Sequence, residues 1–320
     1  MGCRPRSRAI RCLCVMLAQG RLTRLSKLRV ACCGRICCTG KRALRQLGKR
    51  LHRKNKPSGK CIFCEGGNLS KEHFWPEWAS AMLPRYPDNR HVEQLFTVAE
   101  KKLVKPPEIR SRQGHSWTKT IRAVCRPCNN GWMSVLENAV KPILTPLIAT
   151  EAHTLTVEAM RVLGQWIALK IMVGERNHPD EAVTPLEDRL KFRSTLEIPP
   201  NFRIWIARCG AGGWQTGYLR HAATIGTSPI VMPHHRFKNI HSVAFGIGDL
   251  FVFALYTTVA GVLNANPIQS EAVIRLFPIV DSCSWPPPRS LSVIEANAVA
   301  DTLDRLLRGA NVRWAPGFPH

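Results

Sequence analysis

Cys61-Ile62-Phe63-Cys64 and Cys125-Arg126-Pro127-Cys128 form two C-x-x-C pairs, and the step Glu72-His73 stands between them. Two such pairs supply four thiolates, the ligand set of a closed tetrahedral Zn²⁺ site, and zinc favours soft sulfur in such a cage. The spacing predicts one structural zinc on Cys61, Cys64, Cys125 and Cys128, clipping together segments far apart in the chain. The intervening loop holds 60 residues, beyond the roughly 15–20 of a simple zinc ribbon, which leaves room for a functional insertion. A carboxylate beside an imidazole suits hydrolysis, because one group holds a hard cation while the other takes a proton from water. The same pair on a solvated surface would do neither; its place between the two cysteine pairs favours the chemical reading.

Outward from this stretch the charge is uneven. The 320-residue chain has a formal net charge of +24, yet residues 1–60 carry 18 Lys or Arg and no acid, leaving 28 basic against 22 acidic residues in the rest. The polyanion-seeking signal therefore lies mostly in a leader, residues 1–57. That leader also holds Cys3, Cys12, Cys14, Cys32, Cys33, Cys37 and Cys38 and no sustained apolar period, a composition expected to be disordered. A nucleic-acid-binding arm, an Arg-rich transit peptide and translated sequence upstream of the true start compete to explain it. Its apolar run Cys12–Ala18 is too short to span a membrane. An odd total of 13 cysteines, two pairs at metal spacing and no signal peptide fit the reducing cytoplasm better than secretion.

The order of the central elements carries a resemblance. A C-x-x-C, then Glu72-His73 with Pro76 close behind, then a C-x-x-C running directly into Asn129, resembles the zinc-stabilised branch of the HNH endonucleases. More narrowly, Ser70-x-Glu72-His73-x-x-Pro76-x-Trp78 and Cys128-Asn129-x-Gly131-Trp132-Met133-Ser134-x-Leu136-Glu137 resemble an HNH-like subgroup of bacteria and phages, over roughly residues 58–145. The resemblance implies a treble-clef ββα-metal unit and metal-dependent hydrolysis of nucleic-acid phosphodiester bonds, with DNA the expected substrate. It implies His73 as general base, Glu72 and Asn129 as ligands of a catalytic Mg²⁺ or Mn²⁺, and the four cysteines as structural zinc ligands. Thr120 stands where the family usually carries a bracing Asn, and Asn129 where it often carries His. The alternative is a non-catalytic zinc-dependent module that binds nucleic acid or protein; a third reading keeps the cysteines for redox sensing.

Neighbouring residues have local readings. Gly66 and Gly67 would permit a tight metal knuckle. Ser134-Val135-Leu136-Glu137 matches a capping box, which would occupy Glu137 at a helix N-terminus, and Asn130 competes with Asn129 as the functional amide. Trp75, Trp78 and Trp132 read as packed aromatics, His91 and His115 as surface residues. Lys101, Lys102, Lys105, Arg110, Arg112, Lys119 and Arg122 would either neutralise phosphates or form a solvated face. Phe96–Val98 and Thr120–Val124 alternate as strands do.

Residues 151–320 read as an α+β domain following the zinc module at 58–150, so the whole is expected to be α+β. Thr156 opens an amphipathic helix whose Met160, Leu163, Trp166, Ile167 and Ile171 fall on one face, with Lys170 at its rim. Phe202–Ala207 is a strand expected to form a hairpin with Trp214-Gln215-Thr216 across Gly210–Gly213. Phe251–Tyr256 reads as a buried strand rather than part of a membrane span. Arg275–Ile279 is one more strand, and Ser292-x-x-Glu295 caps a final helix ending near Arg308. No membrane partner is expected, and oligomeric state is left open.

Overall fold

The computed structural model describes residues 59–303 apart from 84, 86–89, 96–97, 100–101, 104–107, 211–213, 225–237, 260–262 and 264–269. The leader, the strand expected to begin at Phe96, Lys101, Lys105 and the end of the last helix thus fall wholly or partly outside the described residues. The fold is mixed α+β with antiparallel sheets. After the first cysteine pair come β1 (Leu69–His73), β2 (Arg90–Leu95), a two-residue pair β3 (Val98–Ala99) and β4 (Lys102–Leu103), β5 (Glu108–Gln113) and β6 (Thr120–Cys125). β2 pairs with β5, while β1 pairs with β6 and so brings the two ends of the long loop together. In β6, Ile121 and Ala123 are buried around exposed Arg122, the period-2 pattern of a half-covered strand.

The chain leaves β6 through one helical turn, Arg126–Cys128, and passes Gly131, whose φ of −96° and ψ of −116° interrupt helical geometry. It then enters α1 (Ser134–Ala149). Ser134 makes no side-chain cap there. The expected capping box is absent because the chain is already helical ahead of Ser134, so the N–H groups such a cap would serve have acceptors within the turn before it. β7 (His153–Leu155) leads to α2 (Val157–Gly174), capped as expected by Thr156, whose hydroxyl accepts from the Ala159 N–H at 3.1 Å. α3 (Leu186–Thr195) follows.

The main sheet contains β8 (Phe202–Arg208), β9 (Tyr218–Ala223), β10 (Ile240–Ile247), β11 (Leu250–Thr257) and β12 (Val273–Phe277), in the order β12-β8-β11-β10-β9. β10 and β11 are buried along their whole length, and alternate residues serve two cores. Val252, Ala254 and Tyr256 join Leu163, Trp166 and Ile167 of α2 on one face. Phe251, Phe253 and Leu255 meet Ala296, Val299 and Ala300 of the last helix, α4 (Val293–Ala300), on the other. β13 (Cys283–Trp285) pairs with β7, and the Ser292–Glu295 capping box of α4 is present as expected. Among the described residues no helix is long and apolar enough to cross a membrane.

Two expectations about this half are corrected. Trp214–Thr216 does not form a hairpin with β8, because both edges of β8 are taken by β11 and β12. The segment crosses the sheet instead: Trp214 meets Phe251 edge-on at 5.2 Å, and its indole N–H donates to Asn297 at 3.0 Å. Nor does position 150 separate two cores. One buried cluster runs from Cys61 to Trp285, and Phe74 and Trp75, just past the Glu-His step, pack on Phe245 of β10 at 6.2 and 5.5 Å. Contacts group Pro57–His320 as one compact unit.

The Trp214 crossing depends on Gly246. Its N–H donates to the Gly217 carbonyl at 3.1 Å, and a Cβ built there would lie 1.7 Å from the Trp214 carbonyl oxygen. Since that neighbour is backbone, Gly246→Ala should destabilise by on the order of 3 kcal/mol. A chemical-denaturation midpoint equal to the wild type's would show that the crossing yields freely.

Candidate metal centre and adjoining polar cavity

The four predicted cysteines converge. Cys61 and Cys64 bracket the turn before β1, Cys125 ends β6, and Cys128 closes the helical turn after it. Their sulfurs lie within 4.8 Å of one another, with Cys64 Sγ and Cys125 Sγ 3.4 Å apart. Four thiolates bound tetrahedrally at Zn–S distances of about 2.3 Å would stand about 3.8 Å from each other, so the donor set and spacing fit zinc. Burial raises the Cys128 and Cys125 thiols above their ordinary range. Burial also opposes ionisation of Cys64, but the Gly66 N–H and the other sulfurs bring it below its usual value. A cation among them would ionise all four outright.

The turn is built differently from the glycine expectation. Left-handed backbone falls on Glu65, at φ 55°, and Asn68, at φ 60°, while neither Gly66 nor Gly67 has positive φ. Gly66 is needed for closeness: a Cβ there would sit 3.2 Å from the Cys64 sulfur, its carbonyl accepts from the Cys61 N–H at 2.8 Å, and its own N–H faces the thiolate.

Beside the cluster, β1, Glu77, the segment from Asn129 to Met133 and the start of α1 line a polar cavity of about 250 Å³. Glu72, His73 and Asn129 all line it, as do Lys71, Glu77 and Glu137. The antiparallel register sets Glu72 opposite Ile121 and His73 opposite Thr120, after an irregularity between Ser70 and Glu72. Asn129 enters from the helical turn. Its amide nitrogen donates to Ser70 Oγ at 3.2 Å and approaches the Lys71 carbonyl at 3.5 Å, while Ser70 Oγ donates to the Val124 carbonyl. With the nitrogen assigned to those acceptors, the amide oxygen is left for other company. Asn130 lines the same cavity, so both amides considered from sequence reach it. No described residue hydrogen-bonds the His73 imidazole.

Glu72 is only 7% exposed, and its partner comes from outside the motif. Lys170 of α2, 1% exposed rather than at the rim of its face, donates to Glu72 Oε1 at 2.9 Å, the His73 carbonyl at 3.0 Å and Glu137 Oε2 at 3.3 Å. Glu137 therefore serves this nitrogen and not a helix cap. The available signal was the charge itself: a lysine between Leu169 and Ile171, one turn beyond Trp166 and Ile167, sits on an apolar stripe and needs a buried counter-ion.

The other predicted residues divide. Trp75 is buried, Trp132 meets Phe63 edge-on at 5.0 Å, and Trp78 carries the Lys141 ammonium 5.5 Å from its ring centroid. His115 is not a solitary surface histidine but stacks on Trp117 at 4.1 Å, with the rings within 8° of parallel. Arg122 is exposed and reaches toward the Leu69 carbonyl at 3.5 Å.

Hard oxygen donors on Glu72, Asn129 and Glu137 suit a cation such as Mg²⁺ or Mn²⁺. Among the described residues only the cysteine cluster brings three or more His, Cys, Asp or Glu ligand atoms within 4.8 Å. An ion in the cavity would therefore keep several waters, as Mg²⁺ commonly does. No protein-family model matches the chain, and no curated protein or solved structure matches it either.

Proposed function

We propose that the chain is an endonuclease of the HNH type, a zinc-stabilised treble-clef module hydrolysing phosphodiester bonds of nucleic acid, with DNA as the substrate and the reducing cytoplasm as its setting. The observation that supports it is the convergence of Glu72, His73 and Asn129 on one polar cavity beside the four-cysteine cluster. In this reading zinc holds the cysteine turns and so fixes β1 against the start of α1. Glu72 and Asn129 hold Mg²⁺ or Mn²⁺, which when bound neutralises charge on the scissile phosphate and the leaving oxygen. His73 accepts the proton of the attacking water, and no described residue hydrogen-bonds its imidazole. Lys71 and Arg122, both exposed on the paired strands, supply phosphate contacts that position the backbone without reading sequence.

The test is nicking of supercoiled DNA by the full-length chain. Nicked circles should appear with Mg²⁺ or Mn²⁺ and vanish when the divalent ion is chelated, at unchanged zinc content. A zinc-loaded, folded chain that leaves DNA and a structured RNA intact with either ion would sink the proposal. One observation favours the second reading, a non-catalytic zinc module that binds nucleic acid: Glu72 already has a buried counter-ion in Lys170. That reading predicts salt-dependent DNA retention with no cleavage by the wild-type chain.

A further inference from the structure

We infer that Lys170 is a positioning residue for this site: its buried ammonium fixes the aim of Glu72 and cancels one of the two carboxylate charges that Glu72 and Glu137 bring to the cavity. The inference rests on the cation-dependent reading above. Three elements meet at one nitrogen, because Lys170 stands on α2, Glu72 and the His73 carbonyl on β1, and Glu137 on α1. All three ammonium protons have acceptors, so the nitrogen has one arrangement and imposes it on its partners. Glu72 is held through Oε1 alone, and β1 cannot slide along α2 without breaking that bond or the one Lys170 donates to the His73 carbonyl.

Packing does not require a lysine here. Leu163, Trp166, Ile167 and Ile171 of the same helix are fully buried in the apolar core, and an apolar residue in place of a buried ion pair often leaves a fold as stable or more so. The requirement comes from the carboxylates. Glu72 and Glu137 together carry two negative charges, and Lys170 reduces the sum to one. A bound divalent cation then turns the group net positive, the sign that attracts a phosphodiester. Without Lys170 the same group with a divalent cation would be neutral. Lys170 is not among the residues lining the cavity, so it acts through Glu72 and Glu137 and touches neither cation nor substrate.

This role is separable from a clasp by its dependence on ionic charge. In the full-length chain at one fixed pH, Mn²⁺ binding is read by electron paramagnetic resonance and Tb³⁺ binding by luminescence. Lys170→Gln should tighten Mn²⁺ about tenfold and Tb³⁺ about thirtyfold, since the change scales with the charge of the ion. Turnover at saturating Mg²⁺ should fall all the same. A clasp would weaken both ions alike. Glu137→Gln, at a half-buried position, removes charge of the opposite sign and should weaken Tb³⁺ more than Mn²⁺. Affinities that weaken or stay unchanged in folded Lys170→Gln overturn the inference and leave the cation site standing. Unchanged affinities in Glu137→Gln overturn the charge balance even where Lys170→Gln does not fold. A wild-type chain that binds neither ion overturns the cation site and, with it, this role.

Discussion

His73→Ala should lower the rate of metal-dependent DNA nicking by about a thousandfold, within the 10²–10⁴ that a positioned general base contributes. Zinc content and unfolding temperature should not change. The side chain is half-buried and bonded to no described residue, and the contact His73 makes with Lys170 goes through its carbonyl, which alanine retains. DNA affinity should stay within about twofold, because the imidazole is assigned to water and carries no phosphate contact. Loss of rate at constant affinity and stability is the signature of a group acting on the reaction. A mutant that nicks as fast as the wild type would remove His73 from the chemistry and leave Asn129, Asn130 or Glu77 to be examined in its place.

The cysteine cluster is legible from a short-range rule, whereas the convergence of Glu72 with Asn129 is expected from the resemblance to HNH endonucleases alone, because it depends on the long-range pairing of β1 with β6. A C-x-x-C pair fixes two ligands within one turn, and once β1 pairs with β6 the residue after Cys128 has little choice of neighbour. The local rules that failed did so where tertiary structure had already settled the matter. Ser134 and Glu137 match a capping box, but Met133, the residue before Ser134, already has helical geometry. Gly210–Gly213 promised a hairpin, but β8 had no free edge. Lys170 was the costliest miss. Helical period placed it near the apolar face, yet its acceptor Glu72 lies 98 residues away, and periodicity names a face without naming what meets it. A buried charge could have been paired from sequence only by asking which motif carboxylate lacked a partner, and Glu72 had been set aside for a metal. The two-domain division failed for a related reason, since the aromatics beside the motif, Phe74 and Trp75, are core residues of the sheet that follows.

Cys128→Ser should abolish stoichiometric zinc and lower the unfolding temperature by about 10 °C. Structural zinc stabilises its own ligand loops strongly, and here those loops are not peripheral: Ile62, Phe63, Val124 and Met133 around the cluster belong to the main core. A loss of about 4 kcal/mol in a unit of this size corresponds to a shift of that order. The drop should come with loss of nicking, because the turn that carries Asn129 starts at the cluster and would no longer be fixed against β1. Cys283→Ser is the matched control, a half-buried cysteine beside Met160 and outside the cluster, and it should keep both zinc and activity. Stoichiometric zinc in the Cys128→Ser chain would mean that the metal lies elsewhere. Loss of zinc with an unchanged unfolding temperature and full nicking would separate the cluster from both fold and site. The joint loss expected here instead makes the metal the clip that lets two distant segments share one polar cavity.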